Sequence, residues 1–318
     1  LMWLTGRLAP DFKTIADFRK DNGVPIRLVC RQFVILCRNL NLFANAFVAI
    51  DGSKFKAVNN RDRNFTRAKL KRRIAEADAT IEHYLQQLAE ADRLEPAEDK
   101  TRSLEDKIAS LKKEMSRLKK VEARMREAPG QQISLTDPDA RSMNSRGSGV
   151  VGYNVQTAVD TKHHMIVAHE VTNQGSDRRQ LANMAKQAKT ALAADELTVL
   201  ADRGYYRSEE LKDCEEANIA TYLPKPQTSG NQAKGQFGRD AFHYIVEDEE
   251  YECPAGLRLV YHTTTQDRGK AVRCYWTYKC RMCDIKAQCT SGVFRKMTRW
   301  EHEPVLERAE ARLDRSPD

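Results

Sequence analysis

The stretch "TVLADRGYY", residues 198–206, decides how the chain folds. An apolar run through Val199, Leu200 and Ala201 meets Asp202, and Arg203, Gly204 and two tyrosines follow at once. A bare carboxylate at the tip of a buried strand is costly unless something pairs with it. Asp202 therefore either caps a turn or holds a cation. A second stretch has the same form. In "AFVAIDGSKF" (46–55) the apolar run Phe47 to Ile50 is ended by Asp51 and Gly52. Asp-Gly is also a turn signal, so either aspartate alone says little. Two of them, 151 positions apart, call for a topology that brings the two strand tips together.

The segments in between supply one. "GYNVQTAVD" (152–160) and "MIVAHEVT" (165–172) flank "TKHH" and read as an antiparallel hairpin. "SDRRQLANMAKQAKTAL" (176–192) reads as a helix capped by Ser176 or Asp177, with Leu181, Met184, Ala188 and Leu192 on its apolar face. A strand at 197–201, a helix at 206–217 and a strand at 219–226 follow. Strand, hairpin, helix, strand, helix, strand is the wiring of an α/β fold with an RNase H-like mixed sheet. Its first and fourth strands are neighbours, which places Asp51 and Asp202 at one edge. Carboxylates there suit Mg²⁺ or Mn²⁺, hard ions that take oxygen ligands.

Two insertions interrupt this wiring. Over 62–129, Leu70, Ile74, Ala77, Ile81, Tyr84 and Leu88, then Leu104, Ile108, Leu111, Met115 and Leu118, repeat at coiled-coil spacing. The polar "ADRLEPAEDKTRS" divides the two runs, and Ser103 with Asp106 reads as a capping box for the second helix. The expectation is an antiparallel helical hairpin. The second insertion is rich in cysteine. Of eight cysteines, Cys30, Cys37 and Cys214 read as ordinary thiols, while Cys253, Cys274, Cys280, Cys283 and Cys289 crowd into 37 residues. Cys280-x-x-Cys283 is half of a tetrahedral zinc site, and Cys253 with Cys289 would complete it. Cys274 or His262 is an alternative ligand, and reduced thiols in a small β-rich insertion are the other reading. Zinc requires "GLRLVYHTT" and "AVRCYWTYKC" to pair as strands.

The bulk numbers agree with a nucleic-acid partner. The 318 residues are 41% hydrophobic and 31% charged, with a net charge of +8, which favours a polyanion. No run of eighteen apolar residues marks a membrane span. Cysteine usage fits a reducing cytoplasm. Lys54 and Lys56 follow Asp51, Arg203, Arg207 and Lys225 surround Asp202, and Arg141 lies in the loop before the hairpin. These are candidate phosphate contacts. Two helices, 10–22 and 25–42, precede the first strand, the second with Ile26, Val29, Phe33, Val34 and Leu40 on a broad apolar face.

"TVLADRGYYRSEEL" resembles the second-aspartate motif of DDE-type insertion-sequence transposases, and "VAIDGSKFKAVNN" resembles their first. "ISLTDPDARSM", "VGYNVQTAVD" and "HEVTNQGSDRRQL" are similar to one bacterial subgroup with a coiled-coil insertion. "YECPAGLRL" and "CRMCDIKAQCT" resemble that subgroup's cysteine-bearing insertion, so the likeness runs from about residue 1 to 310. It implies a polynucleotidyl transferase that cuts element ends and joins the 3′-hydroxyl to target DNA by two-metal phosphoryl transfer. Asp51 and Asp202 would be its metal ligands, terminal inverted repeats and target DNA its partners, and a homodimer on DNA in the nucleoid its working form. It also implies a division into the end of an N-terminal DNA-binding domain (1–44), a core (45–61 and 130–226), the helical hairpin (62–129), the Cys-rich β insertion (227–295) and the start of a C-terminal helical part (296–318). The family's third acid is a glutamate within a Val-Glu-x-x-Phe-Gly stretch, which this sequence lacks. Glu301, Glu303, Glu307 and Glu310 resemble the segment just upstream of it. The chain, which opens on Leu1 and closes on "RLDRSPD", is thus expected to be a piece truncated at both ends and inactive alone. A nuclease of the same fold, or a catalytically dead zinc-containing DNA-binding remnant, are the alternatives.

Overall fold

The computed structural model describes residues 6, 9–43, 46–58, 61–93, 98–127, 132–145, 148–226 and 230–316. In chain order come α1 (Phe12–Asp21), α2 (Gly23–Asn39), β1 (Phe47–Lys56), β2 (Asn64–Thr66), α3 (Arg67–Arg93), α4 (Glu98–Glu127), β3 (Gln132–Ser134), β4 (Arg141–Ser145), β5 (Ser148–Asp160) and β6 (Ile166–Thr172). Then follow α5 (Leu181–Leu192), β7 (Leu197–Ala201), α6 (Ser208–Glu216), β8 (Ile219–Tyr222), β9 (His243–Ile245), β10 (Glu250–Glu252), β11 (Arg258–Asp267), β12 (Lys270–Trp276), β13 (Met297–Trp300) and α7 (Glu303–Arg315). A mixed sheet has the order β4-β5-β1-β7-β8, with β6 also paired to β5. The chain divides into two compact units: Leu1–Asp51, Thr157–Ala168 and Arg178–Asp318 form one, Gly52–Gln156 and His169–Asp177 the other.

In the first unit, Val48 and Ile50 of β1 and Leu197, Val199 and Ala201 of β7 are buried at alternating positions, as strands with one covered face require. The two strands run parallel, pairing Val48 with Val199 and Ile50 with Ala201. Parallel neighbours need a crossover, and α5 supplies part of it. Its Leu181, Met184, Ala185 and Ala188 join Leu211 and Cys214 of α6 and Leu306 and Ala309 of α7 in the same core. Each fully buried Leu or Met contributes about 1.5–3 kcal/mol. Helix α5 ends on Ala193, which takes the left-handed conformation (φ 50°) and donates its N–H to Thr190. Its start differs from expectation, because the helix begins at Leu181 after Gln180 and neither Ser176 nor Asp177 caps it. The apolar face of α1 and α2 is also less buried than its pattern implies, since Cys37 is the buried residue of α2 and Phe12, Phe18, Val29 and Phe33 are exposed.

A second antiparallel sheet, β13-β12-β11-β10-β9, belongs to the same unit. The expected pairing of "GLRLVYHTT" with "AVRCYWTYKC" is present as β11 and β12, with a register shift between Tyr261 and Thr263. Phe242, Tyr251, Leu259, Tyr275 and Met297 form its core.

In the second unit, α3 and α4 fold back as an antiparallel hairpin. Leu70 near the start of α3 packs with Leu118, Val121 and Met125 near the end of α4, over Phe65 of β2 and Ile133 of β3. Helix α4 already begins at Glu98, so Ser103 lies inside it rather than at a capping box. The stretch at 94–97 lies outside the described residues.

Strand β1 corrects another expectation, because it runs on through Asp51 to Lys56 rather than ending there. The reason is β5, which is 13 residues long and accompanies it: Ala57 N–H donates to the Val151 carbonyl at 3.0 Å. The strands approach so closely that a Cβ on Gly152 would sit 1.9 Å from the Phe55 carbonyl oxygen. Backbone cannot yield as a side chain can. Gly152→Ala is therefore expected to cost about 1–3 kcal/mol in chemical denaturation, the range for forced overpacking. Unchanged stability would contradict this close approach.

Candidate active site and cysteine cluster

The β1–β7 register ends at Ile50 and Ala201, and the next residue on each strand is an aspartate. Neighbouring strands lie about 4.8 Å apart, and successive side chains alternate between faces. Asp202 keeps extended backbone (φ −77°, ψ 169°), so the alternation carries through it. Asp51 and Asp202 thus leave the sheet on the face of Ala49 and Leu200, opposite buried Val48 and Ile50, and both are exposed.

Asp202 does cap a turn. Its Oδ1 accepts the Gly204 N–H at 2.8 Å at the head of a 3₁₀ turn over Arg203–Tyr205. Tyr205, 1% exposed, anchors that turn in the core, and a Cβ on Gly204 would press on Oδ1 at 2.9 Å. One oxygen is fixed by the turn while Oδ2 accepts no hydrogen bond among the described residues, so cap and cation ligand are compatible roles. Across the pair, the Thr157 hydroxyl donates to the Asp51 carbonyl at 3.4 Å. Two exposed carboxylates on adjacent rigid strands fit the donor set of Mg²⁺ or Mn²⁺, which need only one or two protein carboxylates and fill the remainder with water or phosphate oxygens.

The α7 glutamates are engaged elsewhere. Glu303 accepts from Arg239 at 2.8 Å and from the Trp300 N–H at 3.3 Å, Glu307 pairs with Arg299, and Glu310 pairs with Lys225 at 2.5 Å. Arg299 holds the Glu307 carboxyl below the usual carboxylate range against the opposing effect of burial.

The candidate phosphate contacts separate into two groups. Lys54 pairs with Asp177 at 3.4 Å, Arg207 with Glu209 at 3.0 Å, Lys225 with Glu310, and Arg141 donates to the Pro138 and Ala140 carbonyls at 2.6 and 3.0 Å. Burial acts to raise the Glu209 carboxyl, but hydrogen bonds from Arg207 and Lys270 outweigh it and bring it down to about 2. Lys56 and Arg203 are exposed and carry no ion pair among the described residues.

Within the second unit, a polar cluster escaped the sequence reading. Asn154 and Gln156, both fully buried on β5, donate to Asp177 Oδ1 at 2.7 and 2.9 Å. Gly52 lies against them, and a Cβ there would come within 2.4 Å of the Gln156 amide nitrogen and 2.7 Å of Asp177 Oδ1. Asp177 is occupied by this cluster, which is why it does not cap α5. The signal was present in "GYNVQTAVD", where two amides two positions apart share one strand face.

Cys253, Cys280, Cys283 and Cys289 line a single small cavity with Leu257, Leu259, Ile285 and Arg295. The proposed substitutes lie elsewhere: Cys274 is buried with its thiol near the Val272 carbonyl, and His262 stacks on Trp276. Burial raises the Cys289 thiol, Arg295 acts against that, and the other three thiols of the cavity raise it further. Among the described residues, no three His, Cys, Asp or Glu side chains are drawn together closely enough to hold a metal ion. The four sulfurs surround one cavity without converging on one point.

Among the described residues no helix is long and apolar enough to cross a membrane. Neither a curated protein nor a solved structure matches the chain. A family model described as the transposase DDE domain matches residues 116–275, a span that holds the β5–β6 hairpin, β7 and Asp202 and begins beyond Asp51. With half of its length under that match, the chain belongs to the transposase DDE domain family.

Proposed function

We propose that Asp51 and Asp202 are two acids of a DDE transposase centre on an RNase H-like core, acting on the terminal inverted repeats of an element and then on target DNA. The register that ends on Ile50 and Ala201 carries this reading, because it sets two carboxylates side by side at the end of a rigid parallel pair. The sheet order β6-β5-β1-β7-β8 and the helices between its later strands support the RNase H-like assignment. When bound, Mg²⁺ or Mn²⁺ supplies Lewis acidity at the phosphodiester and lowers the pKa of a coordinated water or hydroxyl. The chain's own part is to hold that site. Gly204 N–H fixes one oxygen of Asp202, and β5 backs β1 at Asp51. Arg203 and Lys56, exposed and without an ion pair among the described residues, would neutralise DNA phosphates. Water attacks phosphorus at the element end and the 3′-oxygen leaves as a hydroxyl; that hydroxyl then attacks a target phosphodiester and displaces the target's own 3′-oxygen. A homodimer on nucleoid DNA and the five-part division of the chain belong to the same proposal.

The ion pairs of Glu303, Glu307 and Glu310 support placing the third acid outside α7. We therefore expect the 318-residue chain to bind duplex DNA and show background strand transfer. In a chain extended through a Val-Glu-x-x-Phe-Gly stretch, Asp51→Asn and Asp202→Asn should each lower Mg²⁺-dependent strand transfer by at least about 100-fold, with duplex affinity little changed. Strand transfer surviving both substitutions would end this assignment.

We further propose that Cys253, Cys280, Cys283 and Cys289 bind one structural Zn²⁺. Their shared cavity supports this. Zinc would draw the sulfurs to tetrahedral distances of about 2.3 Å and staple a small β unit. Metal analysis of protein purified without chelator should find about one zinc per chain, lost in Cys283→Ser. A zinc-free wild type that keeps its folded β signal would rule the site out.

A further inference from the structure

Residues 268–299 carry nine basic side chains and one acidic one, Asp284, a net +8 as large as that of the whole chain. Several of these cations are already spent: Lys270 pairs with Glu209, Arg273 with Glu249 and Arg299 with Glu307. Lys279 and Arg281 are not. Both are exposed, and neither has an ion pair among the described residues.

They lie on the 3₁₀ turn Tyr278–Met282. Within it Cys280 alone points inward, 7% exposed, into the cysteine cavity. The other four side chains face solvent, with Tyr278 58% and Met282 90% exposed. A methionine left in water between an arginine and a cysteine has no packing role in the fold.

The turn is also held rigidly from behind. His262, displaced from the β11–β12 register by the bulge, stacks on Trp276 at 3.8 Å and 8°, and Phe294 stacks on Trp276 at 5.3 Å and 11°. Tyr278 sets its edge against both His262 and Phe294, each at 5.8 Å, and Arg281 lies over its ring at 5.9 Å. Such packing fixes the Tyr278 side of the turn before any partner arrives, so little ordering cost remains to be met on binding.

We propose that the turn Tyr278–Met282 is a DNA-contacting wedge, with Lys279 and Arg281 on phosphates and Met282, beside Tyr278, entering an unstacked base step. Cations flanking an apolar tip match the way architectural proteins pry a step apart. Charge complementarity selects DNA over an acidic-poor protein surface, and the apolar tip distinguishes this contact from a purely electrostatic one. The inference rests on the DNA-binding reading above but concerns residues outside the acid pair.

The test uses the whole chain and a 30-bp duplex of arbitrary sequence with 2-aminopurine replacing several adenines. Lys279→Ala with Arg281→Ala should weaken binding about tenfold and lower the slope of log affinity against log salt by about 2. Met282→Ala should keep that slope and remove most of the 2-aminopurine fluorescence rise that reports unstacking. Circular dichroism and a thermal melt confirm that each variant folds. If the wild type ignores the duplex, the DNA-binding reading and the wedge both fail. If it binds while the double variant keeps its affinity and slope and Met282→Ala keeps the fluorescence rise, the wedge alone is overturned. A concentration-dependent dimer that Met282→Ala abolishes, with DNA binding unchanged, would likewise overturn it and assign the surface to a second copy.

Discussion

Four backbone pairings between β1 and β7, from Phe47 with Thr198 to Ile50 with Ala201, set everything that matters at the candidate centre. Parallel pairing fixes which residues are level, and a slip by one would turn one aspartate into the buried face. Burial enforces the register. Val48, Ile50, Val199 and Ala201 must all point into the core shared with α5, α6 and α7. The two acids are therefore held by apolar packing on the opposite face, at no cost in buried charge, because both carboxylates stay in solvent.

Much of this was legible beforehand. Apolar runs ending in Asp51 and Asp202, with a hairpin and a helix between them, specify adjacent strands by topology alone. The heptad spacing of Leu70, Ile74 and Ala77 against Leu111, Met115 and Leu118 likewise gives the helical hairpin. What failed was local. Asp177 reads as a helix cap because an acid before an apolar helix usually is one, yet Asn154 and Gln156 claim it from a strand more than twenty residues earlier. Asp-Gly at 51 reads as a strand end, yet β5 carries the pairing five residues further. Both misses come from tertiary partners overriding a local signal.

The cysteine-bearing sheet shows the same limit from another side. Spacing identified the four sulfurs that face one cavity, and the structure separates them from Cys274 and His262. It could not show that Cys280 is the inward anchor of a turn whose other side chains face water, since the Tyr278 side of that turn is set by the His262–Trp276–Phe294 stack behind it. Three of the nine cations of this region are paired with Glu209, Glu249 and Glu307, while Lys279 and Arg281 carry no ion pair among the described residues and face outward.

We propose that Asp51 and Asp202 share one cation site. Iron-mediated cleavage tests it most directly: Fe²⁺ exchanged into the site, with ascorbate and peroxide, produces hydroxyl radicals that cut the backbone only beside the bound ion. A shared site gives cuts near both residue 51 and residue 202, suppressed together by excess Mg²⁺ and lost together in Asp202→Asn. Cuts near one aspartate alone, or near neither, would contradict it.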